Sequence, residues 1–119
     1  MYAKSFKELI VWQKSIHLVK AIYKTTEQFP QSELYGLTNQ MRRAAVSIPS
    51  NIAEGYKRKG RLEFLHFLSI AEASAAELET QVIITKEIYS NVDCKPIELL
   101  LEEVQKMLVV FIRRLNAKR

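Results

Sequence analysis

The segment Arg61-Leu-Glu-Phe-Leu-His-Phe-Leu-Ser-Ile-Ala-Glu-Ala-Ser-Ala-Ala-Glu-Leu-Glu-Thr-Gln-Val-Ile-Ile-Thr-Lys-Glu-Ile-Tyr89 decides the fold. It contains no Gly or Pro, and Phe64, Leu68, Ala71, Ala75, Leu78, Val82, Thr85 and Tyr89 recur at alternating four- and three-residue steps. That spacing keeps one stripe of a long helix turned toward partner helices. The next stretch repeats it with Ile97, Leu101, Val104, Leu108, Phe111 and Leu115. Two earlier stretches carry the same period: Leu9, Trp12, Ile16, Val19, Tyr23, and then Leu34, Leu37, Met41, Ala44, Ala45, Ile48, Ile52.

The breaks between these ladders fall at Phe29-Pro30-Gln31-Ser32, at Lys59-Gly60 and at Ser90-Asn91-Val92-Asp93 ahead of Lys95-Pro96. Ser32 is placed to cap the second helix, and Pro96 suits a first helical turn. Short connections between long helices favour antiparallel neighbours, so the expected fold is all-α, an antiparallel up-down-up-down four-helix bundle in a single domain over residues 1–119. Pro49 interrupts the second ladder and predicts a kink near Ala45 to Pro49, with Ser47 and Ser50 available to satisfy the freed carbonyl. Arg43, Ser47, Ser50 and Glu54 form a polar line on that helix beside Asn51, read as a hydrogen-bonded packing face.

Composition agrees with long elements. Only three Gly and three Pro occur in 119 residues, too few turn-formers for a sandwich or barrel of short strands. With 48% hydrophobic and 26% charged residues the chain falls outside the disordered and low-complexity classes. No apolar run approaches the roughly 20 residues that span a bilayer, and the N-terminal residues lack the apolar stretch of a signal peptide, so a cytoplasmic protein without membrane partner is expected. The lone Cys94 excludes an internal disulfide and a thiolate metal cluster.

Catalytic chemistry finds little support. A dimetal bundle needs two Glu-x-x-His pairs, and only Glu63 and His66 fit, since Lys14 stands three positions before His17. Gly36, Gly55 and Gly60 are too scattered for a phosphate loop, so no cofactor is expected. Cys94 has no histidine at a telling spacing, and Glu72, Glu77 and Glu79 read as the solvated side of a long helix. The expectation is a protein that is not an enzyme and holds no metal.

Charge placement is more informative. The balance of 18 Lys plus Arg against 13 Asp plus Glu gives +5. In an up-down-up-down bundle, the start of helix 1, the turn between helices 2 and 3 and the end of helix 4 share one end. Lys4 and Lys7, the turn residues Lys57, Arg58, Lys59 and Arg61, and the closing Arg113, Arg114, Lys118 and Arg119 place ten of the 18 cations there, opposed by Glu8, Glu54 and Glu63. The other end, with Glu27, Glu33, Glu87, Asp93 and Glu98 against Lys24, Lys86 and Lys95, is slightly acidic. A concentrated cationic surface suits phosphate backbones, whose neutralisation releases counterions. Tyr56 and Tyr2 are too few aromatics for a base-stacking platform, and a solvated face remains the plain alternative.

The run Leu37-Thr-Asn-Gln-Met-Arg-Arg-Ala-Ala-Val-Ser-Ile-Pro-Ser-Asn-Ile-Ala-Glu-Gly55 resembles the signature of the four helix bundle proteins known as 23S rRNA intervening-sequence proteins. Phe6-Lys-Glu-Leu-Ile-Val-Trp12, Glu63-Phe-Leu-His-Phe-Leu68 and Ala76-Glu-Leu-Glu-Thr80 are similar to the family as well, so the likeness spans nearly the whole chain. The resemblance implies a short antiparallel four-helix bundle, with ring-shaped homopentamers among related members. Some members are encoded within insertions in the large ribosomal RNA gene. A related group, the accessory variability proteins of diversity-generating retroelements, uses a basic pentamer toward nucleic acid and a reverse transcriptase. Carried over by position, Arg42, Arg43, Asn51 and Glu54 match the signature, which implies a role in fold or ring assembly.

The leading expectation is thus a homo-oligomeric, non-enzymatic bundle that binds structured RNA or DNA through its basic pole. A protein-protein interaction scaffold is the alternative. A helix-turn-helix DNA-binding regulator ranks third, because the third ladder reads as a bundle helix rich in Ala and Glu.

Overall fold

A computed structural model describes residues 4–117. It contains four α-helices: α1 (Ile10–Thr26), α2 (Leu37–Lys57), α3 (Arg61–Ile88) and α4 (Lys95–Ala117), with single 3-10 turns at Phe6–Glu8 and Gln31–Glu33. Each helix packs on the next and α4 closes against α1, forming a rod of 48 × 21 × 20 Å. Cross-helix contacts run in opposite senses along neighbouring helices. Met41 near the start of α2 meets Thr85 near the end of α3, and Lys86 near the end of α3 meets Glu98 at the start of α4. At the opposite end, Arg61 opening α3 reaches Leu115 in the last turn of α4.

The ladders of α3 and α4 are the core stripes expected of them. Leu68, Ala71, Ala75, Leu78, Val82 and Thr85 are buried on α3, and Ile97, Leu101, Val104 and Leu108 on α4. On α2 the buried set includes Met41, Ala44, Ala45, Ile48 and Ile52. Each fully buried Leu or Ile contributes roughly 1.5–3 kcal/mol relative to exposure. Helix α1 differs from its sequence reading by one position. Its buried line is Val11, Ser15, Leu18, Ile22, about 100° around from Trp12, Ile16, Val19, Tyr23. Ser15 disguises the true stripe: a polar residue sits in the core because its hydroxyl donates to the Trp12 carbonyl at 2.7 Å.

The start of α2 is a second correction. Ser32 lies in the Gln31–Glu33 turn and does not cap the helix, which begins at Leu37 behind Gly36. Glu33 takes over that task, its carboxylate accepting the Leu37 N–H at 3.2 Å. Asp93 does the equivalent for α4, accepting the Lys95 N–H at 3.0 Å, and Pro96 sits in the first turn as its missing donor allows.

Pro49 is buried inside α2. The expected repair by Ser47 and Ser50 is replaced by a different arrangement: Ser47 Oγ pairs with Ser74 Oγ of α3 at 2.8 Å, while Ser50 is exposed. Asn51 donates from Nδ2 to the Ser47 carbonyl at 2.8 Å and to its hydroxyl at 2.9 Å. This small-residue seam continues at Gly55, where an added Cβ would stand 2.7 Å from Phe67 Cβ and 3.0 Å from the Phe64 ring. Gly55 is therefore what lets α2 and α3 approach so closely.

Candidate nucleic-acid interface

The turn between α2 and α3 is made possible by Gly60, whose φ of +104° is a conformation L side chains rarely adopt. It swings the chain directly from Lys57 into Arg61, so four cations occur within five residues at one end of the rod. Arg61 then joins this turn to the end of α4: its Nη1 donates to the Leu115 carbonyl at 3.1 Å. A cation on a last-turn carbonyl satisfies an orphan acceptor and complements the helix dipole. Arg113 and Arg114 are brought to the same end by this docking, as the bundle reading expects.

The eight described cations of this pole divide by what surrounds them. Arg58 pairs with Glu54 at 2.9 Å, one turn back on α2, and its guanidinium lies 5.0 Å above the Phe67 ring. Arg61 is half-buried on α4. Among the described residues, Lys57, Lys59, Arg113 and Arg114 are exposed and make no ion pair or side-chain hydrogen bond. Lys4 and Lys7 are exposed beside the first turn, where the Lys7 carbonyl accepts from Gln13 at 2.8 Å. Lys118 and Arg119, named with them from the sequence, lie outside the described residues, as does Tyr2.

The signature residues go elsewhere. Arg42 Nε donates to Thr26 Oγ1 at 2.9 Å, Nη2 reaches the Tyr23 carbonyl at 3.5 Å, and the guanidinium stacks 4.5 Å over the Tyr23 ring. Arg42 thus ties α2 to the last turn of α1, where a cation is favoured. Asn51 belongs to the Ser47–Ser74 seam, and Glu54 to the Arg58 pair at the pole. Arg43 is exposed and lines an open depression of about 470 Å³ with Tyr23, Asn39, Arg42, Val46 and Ser47. Sequence spacing placed Arg42 and Arg43 side by side; only the packing of α1 separates their tasks.

The opposite end is built around carboxylates. Tyr89 Oη donates to Glu33 Oε2 at 2.5 Å, pinning the α1–α2 connection to the end of α3, and the Tyr89 ring stands 5.7 Å from Phe29. The Tyr89 hydroxyl, with help from the Leu37 N–H, holds the Glu33 carboxyl below the usual carboxylate range. The same bond pushes the Tyr89 phenol up. Glu98, bonded at 2.8 Å, raises Lys86. Cys94 is buried there, and desolvation raises its thiol. His66, by contrast, is exposed on α3.

Among the described residues no three His, Cys, Asp or Glu side chains gather as a metal site would require, and no helix is long and apolar enough to cross a membrane. No curated protein matches the sequence. The family model described as 23S rRNA-intervening sequence protein matches residues 7–110, which takes in all of α1, α2 and α3 and most of α4. The chain therefore belongs to the 23S rRNA-intervening sequence protein family.

Proposed function

We propose that the chain is a non-enzymatic, self-assembling helical bundle that holds structured RNA, or another nucleic acid, on its basic pole. The observation that carries this reading is the docking of Arg61 on Leu115. It makes one cationic surface from the α2–α3 turn and the end of α4, with Lys57, Lys59, Arg113 and Arg114 exposed on it. Phosphate groups need such charges, and backbone contact carries no sequence information, which fits a surface poor in aromatic platforms. Self-assembly, as a ring of five by family resemblance, would present several copies of the pole on one side and raise affinity through multivalency.

The test is fluorescence anisotropy with a labelled structured RNA and a matched DNA duplex at three salt concentrations between about 50 and 200 mM. Binding that weakens log-linearly with salt supports the reading, and preference for RNA over DNA narrows it to RNA. No binding at the lowest salt contradicts it and assigns the pole to solvent, leaving a protein-interaction scaffold to be sought by pull-down insensitive to nuclease.

A further inference from the structure

The charges of the bundle are divided across its width as well as along its length. Helix α1 carries Lys14, Lys20 and Lys24 and no acid, and α2 carries Arg42 and Arg43 with no acid before Glu54. On α3 every Asp, Glu, Lys or Arg between Arg61 and Lys86 is a glutamate: Glu63, Glu72, Glu77 and Glu79. The outer face of α3 is also apolar toward its end, with Ile83, Ile84 and Ile88 exposed by 56%, 39% and 62%. The α1–α2 depression offers apolar surface too, from Tyr23 and Val46, with Arg43 unpaired among the described residues at its rim.

We infer that the outer face of α3 in one copy of this chain docks on the α1–α2 groove of a second copy, with Ile83 and Ile84 against Tyr23 and with Glu77 near Val46, about one helical turn along the rod from Arg43 and within reach of its long side chain. This rests on the self-assembly in the proposed function and names the surfaces that would make it. Charge complementarity selects the partner: an acid-bearing apolar face meets an acid-free basic groove. Glu77 is the carboxylate on the open side: it accepts from Gln81 of its own helix at 3.3 Å with one oxygen, whereas Glu79 is turned across to Gln105 of α4 at 3.0 Å. Height along the rod agrees. The Ser47–Ser74 and Met41–Thr85 contacts bracket residues 42–46 of α2 against residues 75–84 of α3, so both patches lie at the same level. Unlike faces at equal height repeat by rotation about an axis parallel to the rod and close a ring, whereas unequal heights would climb into a filament.

Size-exclusion chromatography with light scattering, run over a concentration series, tests this on the wild type, Arg43→Glu, Glu77→Arg and the double variant. Both residues are exposed, so each variant is expected to keep the wild-type circular dichroism; Arg43→Gln and Glu77→Gln repeat the test should a reversal disturb folding. Each single reversal should weaken assembly by about tenfold or more, and the double variant, with the pair restored in swapped order, should recover it. A wild-type oligomer whose mass is indifferent to both single reversals, or a double variant no better than the singles, overturns the assignment of surfaces while leaving self-assembly standing. A wild type that stays monomeric overturns both. Unchanged mass with weakened RNA binding in Arg43→Glu gives the groove to nucleic acid and overturns the inference.

Discussion

Arg42 and Lys57 are both cations on α2, about four turns apart, and the molecule uses them in opposite ways. Arg42 is fixed by Thr26, the Tyr23 carbonyl and the Tyr23 ring, so its charge is consumed in holding two helices together. Lys57 stands exposed at the pole without such partners, and Lys59, Arg113 and Arg114 share that condition. The difference teaches that a basic residue's task is set by what the tertiary structure brings to it. Identical charge in the sequence becomes an internal tie at one height and an open contact surface at another.

The comparison can be broken most forcefully from the structural side. Gly55→Ala places a Cβ against Phe67 Cβ, which is not the loose end of a flexible side chain, and should cost about 2–3 kcal/mol in urea unfolding. Arg42→Ala removes the tie between α1 and α2 and should cost about 1–2 kcal/mol by the same measurement, whereas Lys57→Ala should stay within about 0.5 kcal/mol. Equal destabilisation by Arg42→Ala and Lys57→Ala would erase the distinction between the two regions.

A smaller effect sharpens the contrast through pH. Glu33 is held below its ordinary value by Tyr89, so its contribution is present above the unfolded carboxylate value and is lost as pH falls through the depressed folded one. Tyr89 is raised, so its contribution is complete below the unfolded phenol value and is lost as pH climbs through the higher folded one. Thermal melts of Tyr89→Phe should therefore differ from wild type at neutral pH and converge with it toward strong acid and strong base. A gap that stays constant across pH would show that the pair does not titrate as described.

Much of the fold was legible in the sequence because α3 and α4 keep an unbroken heptad stripe, so period alone gives both length and buried face. The stripe of α1 was misread by one position, since Ser15 is buried where an apolar residue is expected and Tyr23 turns outward under Arg42. The start of α2 was misread because Glu33 reaches forward from outside the helix to cap it. At the candidate interface, charge counting grouped Arg58 and Arg61 with the other cations. No local pattern announces that Arg61 caps α4, 54 residues away in the chain. Gly55 and Asn51 could be matched to the family signature, yet their reason, the close α2–α3 seam, exists only once Phe64, Phe67 and Ser74 are in place.

The central claim is that the unpartnered cations of the pole touch nucleic acid and the tied ones do not. The direct measurement is the slope of log affinity against log salt for a structured RNA, compared between wild type and a variant with Lys57, Lys59, Arg113 and Arg114 changed to Ala. These four make no described side-chain bond, so the variant should keep the wild-type unfolding midpoint while its slope falls by roughly one unit for each phosphate that is no longer neutralised. A fully folded variant with an unchanged affinity and slope would contradict the account.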